Sequence, residues 1–297
     1  MTAAGVPRAR IGSIGGSGTW GARFPEDLGR TDVRVLEYVS PAETPYGPSS
    51  SMKLLEIGGE RVLRFPMHGW HRDDAGGWVP TWTCSLQVAW ILEQAGVEWA
   101  LVDGSVGGIQ APDSSGAPLP PWSVVITDDF IQYWLPPSPA RIGVRGSGGL
   151  RMRDPFCASL RQHLLRSARN QPEFMVYDGG IYVCTPTGRF ETSAEIRMMA
   201  GWGGHIVGQT LGHEAPLMRQ LGLHFASLNI VSNFAEGSDA WIGEHAGAME
   251  EFYRACPIPV GNALIDAVLS AIAEGIGACH CLDYKLTGLG VFPVDGA

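Results

Sequence analysis

An apolar run near the start of the chain leads into a glycine-rich turn at Ile11–Gly18, with Ser17 between two glycines. A strand that feeds such a turn lets backbone N–H groups converge on an anion, and the Ser17 hydroxyl would add another donor. Gly16–Gly21 also fits the G-x-G-x-x-G dinucleotide fingerprint, but that motif needs a helix opening at its glycines. Residues 19–32 contain Pro25 and show no helical periodicity. The turn therefore favours a phosphate-sized anion, and a plain tight turn is the alternative.

Two further strand ends carry side chains that suit a flat heterocycle. Phe190 and Glu191 follow a predicted strand and stand at the mouth of a helix, where they offer an aromatic face and a carboxylate. The alternative for Glu191 is a favourable interaction with the helix dipole. Asn233 ends an apolar strand, and its amide can donate and accept at once, as a lactam edge requires. Asn is also a common turn residue after strands.

The cysteines do not indicate a disulfide framework in a chain of this length. Only Cys279 and Cys281 are close, with His280 between them. That pair could ligate a metal or form a local disulfide, and two ordinary thiols are the favoured interpretation. No second Cys/His pair has zinc-site spacing, and His68-Gly-Trp-His71 is not an H-E-x-x-H motif, so no metal is expected.

Composition excludes several classes of protein. The 297 residues carry a net charge of −9 without a Lys/Arg cluster, which argues against a nucleic-acid partner. A hydrophobic content of 45% with 17% charged residues excludes a disordered chain. No apolar run reaches the roughly 18 residues of a membrane span, and the N-terminus lacks the apolar core of a signal peptide. A cytoplasmic protein with no membrane partner is the expectation.

Short apolar runs alternate with helical patterns along the chain, which predicts an α/β fold. We expect a single domain over 1–297, with a central mixed β-sheet flanked by helices. The predicted strands are Val33–Val39, Met52–Ile57, Val62–Phe65, Trp99–Asp103, Val124–Ile126, Tyr182–Thr185, His205–Val207 and Phe225–Val231. The predicted helices are Ser85–Gln94, Ala158–Ala168, Thr192–Gly201, Glu214–Leu221, His245–Arg254 and Gly261–Ile276. Composition predicts loops at Gly104–Pro121 and Pro136–Gly149, and long ordered loops tend to be functional.

Taken together, the motifs resemble the trimeric purine nucleoside phosphorylase and methylthioadenosine phosphorylase family. The resemblance runs from near Ile11 to about His280, and its most specific part is 180–237. The matching segments are Ile14–Gly18, Glu43–Gly47, His68–Gly69, Val106–Ile109, Asp154–Cys157, Arg189–Arg197, Val207–Thr210 with Glu214 following, and Asn233–Gly237. Cys279-His-Cys281 also looks like the Cys-x-Cys tail of some bacterial and archaeal members.

The resemblance implies phosphorolysis of a purine nucleoside, with phosphate as co-substrate, no cofactor, and assembly into a homotrimer or a hexamer. Phosphate would attack the anomeric carbon through an oxocarbenium-like transition state. Carried over by position, the phosphate-binding residues would be Ser17, His68, Ser105 and Thr210. The residues around the nucleoside would be Phe190 against the base, Tyr182 and Gln209 near the ribose, and His245 at the ribose 5′-hydroxyl. Glu191 and Asn233 would grip the purine and, with His68, form the catalytic set.

The resemblance also bears on the base. In this family an Asp at the position of Asn233 goes with 6-aminopurines, and an Asn goes with 6-oxopurines. Ala235 replaces the second Asp of the adenosine-specific branch, and His245 stands where the methylthio-specific branch has an apolar residue. These positions favour inosine or guanosine over methylthioadenosine.

Several positions depart from the family pattern, mostly at the phosphate and ribose end. Met67 replaces the phosphate-binding Arg before His-Gly, and Gln209 replaces the Met that contacts the ribose. Arg64, on the same strand as Met67, is a candidate substitute for the missing cation. The run His71–Trp78 is longer than the usual loop. Other differences lie at Cys84–Leu86, Gly104 and Gly188.

Three hypotheses follow from these matches and departures. The first is a phosphorylase of 6-oxopurine nucleosides. The second is a relative whose phosphate site has drifted, so that it uses water as a nucleoside hydrolase or acts on an unusual nucleoside. The third is a non-catalytic nucleoside-binding protein.

Overall fold

The apolar runs of the sequence pair into one eleven-stranded mixed sheet, and two very short strands form a separate hairpin. A computed structural model describes residues 5–113, 115–134, 150–238, 247–281 and 283. The strands are Ile11–Ile14 (β1), Val33–Val39 (β2), Glu43–Thr44 (β3), Gly47–Pro48 (β4), Met52–Ile57 (β5), Glu60–Phe65 (β6), Trp99–Gly108 (β7), Ser123–Ile126 (β8), Asp129–Gln132 (β9), Met175–Asp178 (β10), Ile181–Cys184 (β11), Ile206–Gly208 (β12) and His224–Phe234 (β13).

Parallel pairing dominates the centre of the sheet. β1 lies between β6 and β7, and β7 also pairs in parallel with β13. Antiparallel pairs occur between β2, β5 and β6 on one side, and between β13 and β8 on the other. The far end of β7 turns to pair with β12, which pairs with β11. The carboxyl ends of β1, β7 and β13 therefore meet at one edge, where α/β sheets bind ligands.

Six helices cover the two faces of the sheet among the residues that the structure describes. They are Thr81–Ala95 (α1), Ala158–Arg169 (α2), Ser193–Gly201 (α3), Leu211–Leu221 (α4), Ala248–Ala255 (α5) and Pro257–Glu274 (α6). One cluster of buried apolar side chains includes residues of α1 and α4, and a second includes residues of α2 and α6. The sheet separates these clusters, so the chain has the expected α/β architecture.

The sequence predicts most of these elements, and one prediction is wrong. The predicted loop from Gly104 instead begins as the last five residues of β7, which continue to Gly108. Their pairing with β13 and β12 overrides the poor strand propensity of three glycines. The predicted loop Pro136–Gly149 lies wholly outside the described residues, and the helix predicted at His245–Arg254 begins outside them.

Contrary to the expectation from the sequence, one helical stretch, Ala248–Glu274, reaches the length and hydropathy of a membrane span. The most apolar part of that stretch is 61% buried within the fold. Its apolar residues, among them Val260, Leu264 and Val268, belong to the interior cluster with α2. Core packing therefore accounts for its hydropathy.

Candidate active site

The glycine-rich turn after β1 runs unusually close to neighbouring backbone. The Gly15 N–H donates to the Phe65 carbonyl at 2.7 Å, and the His68 N–H donates to the Gly15 carbonyl at 2.6 Å. A Cβ on Gly16 would lie only 2.0 Å from the Asp103 carbonyl oxygen. Only glycine fits there, and this close approach places the following residue, Ser17, beside the end of β7.

Ser17 belongs to a chain of hydroxyl groups at the edge of the sheet. Its Oγ lies 2.5 Å from Oγ of Ser105 and accepts the Ser105 backbone N–H at 3.1 Å. Ser105 Oγ in turn lies 2.8 Å from the Tyr253 hydroxyl on α5. Three hydroxyls from three separate elements therefore line one wall of a cavity.

His68 packs against the glycine turn, with Nε2 only 2.5 Å from where a Cβ on Gly16 would lie, and is paired with a buried carboxylate. Its Nδ1 is 2.7 Å from Oε1 of Glu214, which is 2% exposed in the first turn of α4. Burial alone would lower the pKa of His68, but the Glu214 carboxylate, with Asp103 behind it, raises that pKa above its ordinary value. The charged form of His68 is therefore favoured relative to a free histidine, and the ring lines the cavity together with Ser17.

Arg64 does not replace the missing family arginine. Its guanidinium is buried and donates to Ser13 Oγ at 2.7 Å and to Thr19 Oγ1 at 2.5 Å. It also lies 3.4 Å from Asp103 Oδ1, and Thr19 donates to the same carboxylate at 3.1 Å. This network stabilises the glycine-rich turn after β1. Met67, not Arg64, lines the cavity, and no Lys or Arg is among the described residues around it.

The residues predicted to hold a purine, Phe190, Glu191 and Asn233, line the same cavity. Phe190 is 67% exposed, so its ring face is available to a ligand. The Thr185 hydroxyl donates to Glu191 Oε1 at 2.5 Å and fixes the carboxylate at the mouth of α3. A register shift in β13 between Val231 and Asn233 re-aims Asn233. Asn233 Nδ2 donates one hydrogen to the Phe234 carbonyl at 2.9 Å, which leaves one hydrogen for a ligand.

The predicted ribose residues differ in how far they reach the cavity. Tyr182 is only 2% exposed, and its hydroxyl accepts the Thr210 backbone N–H at 3.2 Å. It therefore supports the junction of β12 and α4 from behind. Gln209 lines the cavity and donates to the Arg189 carbonyl at 3.0 Å. Thr210 lines it at the N-terminal end of α4, where helix N–H groups favour an anion. His245 lies outside the described residues.

The structure thus brings nine of the ten predicted site residues to one cavity of about 640 Å³, a volume typical of small-ligand sites. One wall of this cavity, formed by the tryptophans Trp70, Trp78 and Trp82, was not predicted from the sequence. The indoles of Trp70 and Trp78 stack with centroids 4.3 Å apart, and Arg72 lies over Trp78. The available signal was the unusually long run His71–Trp78, which contributes Trp78 to this wall. Glu214 stood out in the sequence only as part of the family motif that follows Thr210, without a role, and Tyr253 had no sequence signal.

Comparisons with known proteins agree with this geometry. A family model described as the phosphorylase superfamily matches residues 11–257. An S-methyl-5′-thioadenosine phosphorylase of Thermococcus kodakarensis is 32% identical over 242 residues, which is 81% of this chain and 84% of the relative. A purine nucleoside phosphorylase of Streptomyces coelicolor is 31% identical over 284 residues, 92% of this chain and 93% of the relative.

A probable 6-oxopurine nucleoside phosphorylase of Korarchaeum cryptofilum is 31% identical over 257 residues, 82% of this chain and 86% of the relative. The crystal structure of a methylthioadenosine phosphorylase from an antarctic soil metagenomic library shares the fold, with a TM-score of 0.74. That similarity holds at 23% identity over 94% of this chain and 91% of the other. The chain therefore belongs to the phosphorylase superfamily and is an enzyme of its nucleoside phosphorylase group.

Proposed function

We propose that this enzyme cleaves the N-glycosidic bond of a 6-oxopurine nucleoside, of the inosine or guanosine type, with phosphate. The observation that carries the proposal is one cavity lined both by Phe190, Glu191 and Asn233 and by the Ser17–Ser105 hydroxyl pair. A purine and an anion are the two groups that such a cavity suits. Its relatives include phosphorylases named for thioadenosine and for 6-oxopurine substrates, so the base must be argued from the site.

The polar groups at the base end support a lactam edge. A 6-oxopurine presents an N1–H donor, which suits the Glu191 carboxylate, and O6 and N7 acceptors, which suit the free Asn233 amide hydrogen. Negative charge develops on the purine as the bond breaks, so an amide donor at this edge stabilises the transition state more than the ground state. A 6-aminopurine carries an amino donor at position 6 in place of the carbonyl acceptor. That donor would face the Asn233 N–H, which cannot accept a hydrogen bond. Ala235 adds no second carboxylate here.

The other end of the cavity supports an anionic nucleophile. Hydroxyls of Ser17 and Ser105, the N-terminus of α4 at Thr210, and the His68 imidazolium all favour a phosphate. A phosphate held there would lie next to the ribose, where positive charge develops in an oxocarbenium-like transition state. The enzyme then gives the free base and the sugar 1-phosphate. Phosphate is the co-substrate, and we propose that no other cofactor takes part.

Hydrolysis is a second candidate function, and one observation favours it. Met67 lines the cavity where the family carries an arginine, and Arg64 is engaged with Asp103. Charge-assisted hydrogen bonds are roughly twice as strong as neutral ones, so a neutral thioether weakens phosphate binding. Water at the same position would release free ribose instead of a sugar 1-phosphate.

One assay separates these candidates. Purified enzyme is incubated with inosine or guanosine, with and without phosphate, and free base and sugar product are measured. Release that requires phosphate and yields sugar 1-phosphate supports the main proposal, whereas equal release of base and free ribose without phosphate supports hydrolysis. Tight binding of a broad nucleoside panel without turnover contradicts both.

Two variants test the two ends of the cavity. Asn233→Asp should lower kcat/KM for inosine by roughly 100-fold, because it removes one donor at the departing base. Asn170→Asp, at the exposed C-terminus of α2, is the matched control and should have no effect. Met67→Arg should lower the KM for phosphate by about tenfold. Full inosine activity in Asn233→Asp would refute the base assignment, and an unchanged phosphate KM in Met67→Arg would refute the anion assignment.

The remaining features of the proposal concern assembly and location. By resemblance we propose a homotrimer or a hexamer located in the cytoplasm, with no nucleic-acid or membrane partner. Sedimentation equilibrium of the 31.8 kDa chain measures the first directly. A monomer at micromolar concentration would contradict it.

A further inference from the structure

Three cysteines and one histidine from separate parts of the chain converge at the end of the sheet opposite the cavity. Cys157 stands just before α2, His224 begins β13, and Cys279 and Cys281 follow α6. The Cys157 backbone N–H donates to the Phe225 carbonyl at 2.7 Å, which ties the start of α2 to the start of β13. The ligand atoms of all four side chains lie within 4.8 Å of one another.

The distances resemble the edges of a small tetrahedron. His224 Nδ1 lies 3.5 Å from Sγ of Cys157 and 3.2 Å from Sγ of both Cys279 and Cys281. Zinc bonds of about 2.3 Å to sulfur and 2.0–2.1 Å to nitrogen place tetrahedral N···S pairs about 3.5 Å apart and S···S pairs about 3.8 Å apart. The sulfurs of Cys279 and Cys281, 3.2 Å apart, need to separate by only about half an ångström.

Hydrogen bonds within this cluster are weak, because Cys279 and Cys281 can pair with each other only as thiols, which are poor donors and acceptors. An imidazole nitrogen has either one hydrogen or one lone pair, so Nδ1 can satisfy one of the three sulfurs that surround it. Cys157 and Cys281 are buried, and Cys279 and His224 are half-buried, so water has little access to the remaining groups. A cation at the centre would bind all four atoms at once.

We propose that these four side chains form a structural zinc site, with Sγ of Cys157, Cys279 and Cys281 and Nδ1 of His224 as the ligands. Three thiolates and one imidazole are a donor set that zinc prefers, and four protein ligands close its tetrahedral shell. The closed shell leaves no position for a substrate or a catalytic water. The proposal departs from the expectation, based on Cys279-His-Cys281 alone, that these thiols are ordinary.

The position of the site fits a structural role. His224 and Asn233 are nine residues apart on the same strand, so the proposed zinc lies about 30 Å from the base end of the cavity. The ion would fasten the segment after α6 to the N-terminus of α2 and to the sheet. It therefore acts on the stability of the fold and on the anchoring of the C-terminal segment.

Metal content and a thiol count test the proposal together. The full-length protein is purified without chelator, incubated with zinc chloride and desalted. We expect about one zinc per chain and, after denaturation without reductant, six reactive thiols. Four thiols without zinc would show a disulfide instead, and six thiols without zinc would show that no site forms; either result overturns the proposal.

Variants locate the ion. Cys281→Ser and His224→Ala should lose bound zinc, whereas Cys256→Ser, which removes a buried thiol outside the cluster, should retain it. Removal of zinc by a chelator should lower the Tm by about 5–10 °C, as expected for a ligand bound well above its Kd. Zinc that remains stoichiometric in both cluster variants would refute the assignment.

Cobalt provides a test that does not depend on folding of the variants. Cobalt chloride added to metal-free wild-type protein should give thiolate-to-cobalt charge-transfer absorption and the visible bands of a tetrahedral ion. Added zinc should abolish both signals. Absence of these bands in folded wild-type protein would overturn the proposal.

Discussion

The buried pair of His68 and Glu214 makes a testable prediction about the pH dependence of phosphate use. The Nδ1–Oε1 distance is 2.7 Å, and neither group has free access to water. The second oxygen of Glu214 has no hydrogen-bond partner among the described residues. Replacement by glutamine in Glu214→Gln keeps the shape of the side chain and removes the charge that favours the imidazolium.

The magnitude follows from the kind of bond that is lost. A hydrogen bond to a charged group contributes about 1.5–3 kcal/mol, which corresponds to roughly a 10–150-fold change in the ratio of charged to neutral imidazole. Because Glu214 raises the pKa of His68, the imidazolium persists to higher pH than it would without that carboxylate and is lost as the pH rises through the raised pKa. In Glu214→Gln this loss should occur at lower pH.

The assay is kcat/KM for phosphate across pH 5.5–9, with the nucleoside saturating. We expect the alkaline decline to move to lower pH in Glu214→Gln and the phosphate KM at neutral pH to rise by about tenfold or more. Glu98→Gln, which removes an exposed carboxylate paired with Arg10, is the matched control and should leave the profile unchanged. Thermal unfolding of both variants separates a catalytic effect from a loss of folded protein. An unchanged pH profile in folded Glu214→Gln would refute the role given to the His68 charge.

Two further predictions concern the support beneath the anion site. Gly16→Ala should abolish phosphate-dependent turnover, because its Cβ would lie 2.0 Å from the Asp103 carbonyl, whereas Gly201→Ala has open space and should retain activity. Wild-type kinetics in Gly16→Ala would contradict the close approach. Arg64→Ala should lower the free energy of unfolding by about 3–5 kcal/mol, because it leaves the buried Asp103 carboxylate without its cationic partner. In urea unfolding, Arg10→Ala at the surface should lower the free energy of unfolding by less than about 1 kcal/mol. An equal loss of stability in Arg64→Ala and Arg10→Ala would count against the buried network of Arg64 and Asp103.

Most of the fold could be predicted from local sequence because its signals are local. Periodic apolar runs gave the bounds of β2 and β5 to the residue and those of α2 and α3 to within one residue. The Thr192–Glu195 capping box, present in the sequence, fixes the start of α3. By contrast, β9 and β10 are short and half-exposed, and their runs are too weakly apolar to stand out.

Contacts within the site were harder to predict where the two partners are far apart in the sequence. Glycine and serine at 16–18, and Asn233 at a strand end, carry their own signals. The pairing of His68 with Glu214 spans 146 residues, and that of Arg64 with Asp103 spans 39. No spacing rule links such residues, since only the sheet order brings them together. The same holds for the Cys157–His224 contact, which sequence spacing could not suggest.

The backbone conformation at Met67 and His68 bears on side-chain substitutions at residue 67. Both residues have positive φ angles, 43° and 55°, in the left-handed region that most side chains disfavour. The strain, about 1–3 kcal/mol for each residue, comes from the main chain and is nearly the same for any unbranched side chain. An exchange between methionine and arginine at residue 67 therefore changes the electrostatic potential of the cavity. The backbone strain at this residue stays the same. The chemistry at residue 67 can therefore change without a change in backbone strain.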